Sequence, residues 1–143
     1  MTPLSAHFNL EEAVVSQTAS RRGIDNTPPA DIILNMKQAA LQLELVRMEL
    51  NSNAVRFNSW FRSPELNAAV GSKPTSDHLT GFAIDFTCPS YGAPAGLVRS
   101  IAKSKLKFGQ LILEFNSWVH ISFKDESRQI LIVDKDGTRP WVA

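Results

Sequence analysis

The amino-acid sequence predicts an α+β fold, a small antiparallel sheet with helices packed on one face. Three features carry that expectation. Helical periodicity is strongest early in the chain, over residues 31–50. Stretches rich in β-formers cluster in the second half. The last of them lie only a few residues apart, which suits antiparallel neighbours, because parallel pairs need long crossovers.

Asn9 followed by Glu12 matches a capping box, with Phe8 placed to staple onto Ala13, so a short helix starts at about Leu10. Residues 20–31 read as a loop. Pro28 and Pro29 then suit a helix start, where a missing N–H costs little. Over 31–50, Ile32, Ile33, Met36, Ala39, Ala40, Leu43 and Leu50 recur at helical spacing, with Lys37, Gln38, Glu44 and Arg47 largely elsewhere; this is the main core helix. Residues 55–61 read as a strand. Ser63, Pro64 and Glu65 supply a cap, a first position and a first-turn acid for a short helix ending at Gly71. A loop over 71–77, a strand over 81–86 and a helix over 94–106 follow. Three more strands are expected at 110–114, 118–123 and 129–133. Trp141, after Pro140, is expected to cover apolar surface.

The 143 residues predict a single domain over 1–143. Apolar residues at 43% and charged residues at 20% exclude a disordered chain. A net charge of +1 leaves no electrostatic footprint for nucleic acid. No run of about 18 apolar residues exists, so no stable membrane association is expected. The first residues show neither a basic start nor an apolar run, so no signal peptide is visible. No heptad pattern is sustained, which predicts a monomer. The single cysteine, Cys88, excludes an internal disulfide and a Cys-only zinc site. Imidazole chemistry is confined to His7, His78 and His120.

Side chains alternate across a strand. Phe82, Ile84 and Phe86 therefore face the core, and Gly81, Ala83 and Asp85 face away. A carboxylate beside two tiny residues describes a wall with open space before it. In the later strand Val119, Ile121 and Phe123 face the core, with Trp118, His120 and Ser122 opposite. Glu114 closes the strand before it. Two imidazoles, His78 and His120, with the Asp85 carboxylate form a donor set that suits Zn²⁺, and three protein ligands leave a fourth position for water. A carboxylate outside that set, Glu114, can carry a proton to a leaving amine. Blander readings stand beside these. A single histidine is more often structural than ligating. Asp85 reads also as a strand-end acid, Glu114 as a solvated charge, Arg62 as a surface cation and Ser76 as loop polarity. Cys88 reads better as a buried inert thiol than as a fourth ligand. Asp77 reads as a turn residue or outer partner of the ligands, and His7 as surface.

The pattern Ser76-x-His78-x-x-Gly81-x-Ala83-x-Asp85, followed by Glu114 and Trp118-x-His120, resembles the zinc D-Ala-D-Ala peptidases, peptidase family M15. That carboxypeptidase and endolysin group includes D-Ala-D-Ala dipeptidases and the hedgehog signalling domain. Phe61-Arg62-Ser63-Pro64-Glu65-Leu66-Asn67 is similar to the family's segment ahead of the first ligand. The resemblance implies zinc held by His78, Asp85 and His120, with Glu114 as catalytic base. Glu114 lies six positions before His120, as in the hedgehog-like arrangement; in some members the spacing is three. It further implies that Arg62 meets the substrate or stabilises developing charge, and that Ser76 hydrogen-bonds the substrate. Trp118 reads as a substrate contact or a packed wall of the cleft. The implied substrate is the peptide stem of bacterial peptidoglycan, cut at D-Ala-D-Ala, at the D-Ala crosslink or at L-Ala–D-Glu. A lone catalytic domain without a signal resembles a phage endolysin, which accumulates in the host cytoplasm and reaches the cell wall at lysis. A binding or signalling module with a vestigial zinc site, and a tail-associated phage protein, are the competing functions. Glu114 speaks against the first; the second shares the same chemistry.

Overall fold

The computed structural model describes residues 1–143. Six strands form one sheet in the order β1-β2-β4-β3-β5-β6. They are β1 (Arg56–Ser59), β2 (Ala83–Thr87), β3 (Gln110–Glu114), β4 (Trp118–Ser122), β5 (Gln129–Asp134) and β6 (Gly137–Pro140). The helices are α1 (Leu10–Ala13), α2 (Gln17–Arg22), α3 (Ala30–Glu49), α4 (Pro64–Ala69) and α5 (Pro94–Lys103), and a 3₁₀ turn (Asp77–Thr80) leads into β2.

The local signals for the helices are realised. Asn9 and Glu12 close a full capping box, and Phe8 and Ala13 are both buried. Ser63 Oγ accepts the Leu66 N–H and caps α4 ahead of Pro64. In α3, Met36, Ala39, Ala40, Leu43 and Val46 are buried. They join Leu97, Val98 and Ile101 of α5 and Ile84, Phe86, Val119 and Ile121 of the sheet in one core. The two helices thus cover one sheet face, as expected for an α+β protein. Phe82, Phe123 and Trp141 pack on the margin of this core. Asp85 and His120 alternate with the core residues along β2 and β4, so they lie on the opposite face, where the site is built.

Four features depart from the sequence expectation. Helix α2 occupies part of the stretch read as loop. It is six residues long, too short to show a period, and is bounded by a Ser16 cap and by Gly23 at φ 64°. Strand β6 lies in the presumed tail and contains no β-former except Thr138; it is held as a hairpin on β5 by the Arg139 fork on Asp134, at 2.7 and 3.0 Å.

Strand β5 pairs with β3, in parallel, rather than with β4. The short connection does reverse the chain relative to β4, as the tight spacing indicates. It then crosses the start of β3 and lands on its far side. Gly109 makes the crossing possible, since a Cβ there would sit 2.5 Å from Asp125 Oδ1. Ser127 Oγ and the Gln129 N–H both donate to the Gly109 carbonyl, at 3.0 and 2.9 Å.

Gly81, finally, does not border open space. It ends the 3₁₀ turn at φ 81°, and a Cβ there would lie 2.6 Å from Met36 Cγ on α3. Its smallness serves close packing of that turn on the main helix.

Candidate metal centre

Three elements bring the candidate ligands together. Asp85 in β2 and His120 in β4 are direct cross-strand partners. His78 descends from the 3₁₀ turn, where Ser76 Oγ accepts the His78 backbone N–H at 3.2 Å. Trp60 anchors the turn twice. Its indole N–H donates to the Gly81 carbonyl at 2.8 Å, and its own carbonyl lies 2.7 Å from His78 Nδ1. A carbonyl only accepts, so Nδ1 carries the proton and the Nε2 lone pair points inward.

His78 Nε2 is 3.2 Å from Asp85 Oδ2, and His120 Nδ1 is 2.8 Å from Asp85 Oδ1. The three donor atoms lie within 4.8 Å of one another, and all three residues are buried. Tetrahedral zinc, with bonds of ~2.1 Å, separates its ligand atoms by roughly 3.4 Å, so these residues fit the ion with small adjustments.

The electrostatics follow from burying charge among partners. Burial acts to raise the Asp85 carboxyl, but the two imidazoles beside it and the His120 hydrogen bond outweigh it and hold it well below the usual range. Burial opposes protonation of His120, yet the Asp85 hydrogen bond and the charges of Asp85, Glu114 and Asp77 raise it. Glu114 Oε1 stands 3.9 Å from His120 Nδ1, beside the ligand set and not in it. Burial and the Asp85 charge push its carboxyl above the usual value. Arg62 Nη2 lies 3.6 Å from Asp85 Oδ2, and its Nε donates to Ser59 Oγ at 3.1 Å.

The family model of Peptidase M15 matches residues 6–122. The chain belongs to the M15 peptidase family. A search of curated proteins finds no match to it. M15 peptidases are zinc peptidases, and the donor set of this one could bind a metal ion.

In this M15 peptidase a groove of about 470 Å³ opens beside the cluster, lined by Ser76, Asp77, Gln110, Ile112, Glu114 and His120 among others. Ser76 thus reaches the groove as well as capping the turn. Trp118 is the cross-strand partner of Glu114 and is half-buried against Phe115, at 5.8 Å between rings. Its indole N–H is buried without a hydrogen-bond partner. Asp77 Oδ2 accepts from Ser122 Oγ at 2.7 Å, next to the ligands and outside them. Cys88 is buried, its Sγ 3.3 Å from the Ala54 carbonyl, and does not belong to the donor cluster. His7 pairs with Glu44 on α3 at 2.7 Å, away from this cluster.

Three residues that shape the site had no reading of their own in the sequence. Trp60 orients His78 through a backbone carbonyl, which leaves no side-chain signature. Ser59 buttresses Arg62. Asn67 is buried and ties the following loop by donating to the Lys73 carbonyl at 2.9 Å, with Arg62 Nη1 at 3.5 Å from its Oδ1. The Arg62–Asn67 segment contained the available signal, a polar residue on the inner side of a short capped helix.

Proposed function

We propose that this M15 peptidase is zinc-dependent and hydrolyses an amide bond in the peptide stem or crosslink of bacterial peptidoglycan, as a D-Ala-D-Ala carboxypeptidase or endopeptidase. The reading rests on one observation: a buried His78–Asp85–His120 donor set with a carboxylate, Glu114, beside it and outside it. Bound zinc would supply a Lewis acid that polarises the scissile carbonyl and acidifies water. Glu114 takes the proton of the attacking water and delivers it to the leaving nitrogen. Its raised proton affinity brings it nearer the value that suits such a shuttle at neutral pH. Arg62, whose Nε is held by Ser59 and whose Nη2 faces Asp85, offers its remaining N–H groups to the oxyanion that develops on the carbonyl. Ser76 donates its hydroxyl to the substrate from the groove wall, and Trp118 walls the base on the β4 side. The alternative is the L-Ala–D-Glu bond of the same stem, cut by the same chemistry.

The biological role we infer is host lysis by a phage endolysin that acts as a monomer on the cell wall after accumulating in the host cytoplasm. No helix is long and apolar enough to cross a membrane. Mass spectrometry of muropeptides digested with the purified protein, with and without chelator, tests the proposal. New termini that vanish with chelator are expected. Intact muropeptides under zinc-replete conditions would overturn it.

A further inference from the structure

We infer that a second groove, on the Arg62 side of the ligand set, holds the acyl-side residues of the substrate, and that the groove of about 470 Å³ on the Glu114 side takes more than one residue of the amine half, so that the enzyme cuts within a chain and not only at its end. The inference rests on the peptidase reading above and adds a binding surface to it.

The sheet register places this groove. Ser59 is opposite Asp85, Asp85 opposite His120, and His120 opposite Ile112, one row running across four strands. An irregularity in β1 between Phe57 and Ser59 brings Ser59 into that row. Ile112, at one end, lines the groove that contains Ser76 and Glu114. Ser59, at the other end, lines a groove of about 480 Å³ between α2, β1 and α4. The two grooves therefore flank the ligand set from opposite sides. Arg62 joins the second groove to the set, since it lines the groove and also reaches Asp85 at 3.6 Å.

The walls define the occupant. Val15, Leu66 and Val70 offer aliphatic surface, and Arg21 adds a cation. Val15 is 69% exposed and Val70 is 43% exposed, so this surface is uncovered. Short aliphatic side chains and a carboxylate match it, and the volume lies within the range of ligand sites, roughly 300–1,000 Å³. The polarity follows from the chemistry of the two flanks. Glu114 protonates the leaving nitrogen, so the amine half lies in the groove that Glu114 lines. Arg62 faces the carbonyl oxygen, so the acyl half continues past Arg62 into the second groove. A carboxypeptidase needs only a short blind pocket on the amine side. Here each side has room for several residues.

The test uses the full chain with Val15→Asp and Val70→Asp together, both at exposed positions. In a Glu114→Gln background, which slows turnover, calorimetry measures binding of muramyl pentapeptide and of peptides shortened stepwise from its amino end. We expect the double variant to bind muramyl pentapeptide about tenfold more weakly, with the deficit shrinking as acyl-side residues are removed. Val15→Asp alone repeats the comparison without touching the end of α4. A deficit independent of peptide length, or no deficit, overturns the groove assignment. With Glu114 intact, cleavage of a carboxy-terminally amidated or crosslinked stem is expected. Release of single terminal residues only would overturn the internal cut. If the parent protein neither binds the stem peptide nor cleaves sacculi, the peptidoglycan reading falls and this assignment with it. If the parent cleaves sacculi and the double variant keeps its KM, the groove assignment alone falls.

Discussion

Asp85 and His120 face each other across β2 and β4, with 2.8 Å between Oδ1 and Nδ1. In metal-free protein this pair makes stability depend on pH at both ends. His120 is raised on folding, so its contribution is complete below its unfolded value, about 6.5, and is lost as pH rises through the raised folded value. Asp85 is depressed, so its contribution is present above its unfolded value, about 3.9, and is lost as pH falls through the folded one. Melts of chelated protein should therefore show Tm falling on the alkaline side of about 6.5 as well as in strong acid. Asp85→Asn should flatten the alkaline limb. An alkaline limb identical in the two proteins would show that the pair does not act this way.

Zinc should stabilise the fold by an amount that grows with the logarithm of its free concentration above Kd. A ligand at a hundred times its Kd adds about 2.7 kcal/mol if it binds only the folded state. Zinc should therefore raise Tm in the parent, and one ion per chain should be found by elemental analysis. His120→Ala and Asp85→Ala should abolish both effects. Cys88→Ser should preserve them, because the thiol is held at the Ala54 carbonyl outside the cluster. Loss of zinc in Cys88→Ser would place sulfur in the ligand set.

Glu114→Gln should retain zinc while hydrolysis drops by roughly 10²–10⁴, the span for loss of a general base. Zinc titration and muropeptide release, measured on one preparation, separate the two effects. Equal rates in variant and parent would remove Glu114 from the chemistry.

Arg62→Lys keeps the charge but loses the fork that spans Ser59, Asn67 and Asp85. Its kcat should fall by about 10², the lower end for loss of one oxyanion donor, with zinc stoichiometry unchanged. An unaltered kcat would reduce Arg62 to a structural cation.

Gly81→Ala should test whether the 3₁₀ turn positions His78. The substitution adds a Cβ 2.6 Å from Met36 Cγ at a φ of 81°. Overpacking and left-handed strain each cost roughly 1–3 kcal/mol. A lower Tm is expected together with weaker zinc binding in a competition assay. A lower Tm with unchanged zinc affinity would mean that the turn does not set the ligand.

The sequence by itself determined what depends on near neighbours. The Asn9–Glu12 capping box, the Ser63-Pro64 start of α4 and the apolar period of α3 each involve residues a few positions apart. So does the alternation that sends Ile84 and Phe86 to the core and Asp85 away from it. The M15 pattern at Ser76 to His120 was legible for the same reason: its residues sit at set spacings along two short stretches. Tertiary structure alone decided that β5 would cross to the far side of β3, because that depends on Gly109 leaving room for Asp125. It alone set the Trp60 carbonyl on His78, seated Cys88 elsewhere and put Ser59, Asp85 and His120 in one row. Distances between residues remote along the chain arise from strand register and close packing, and no local propensity encodes them.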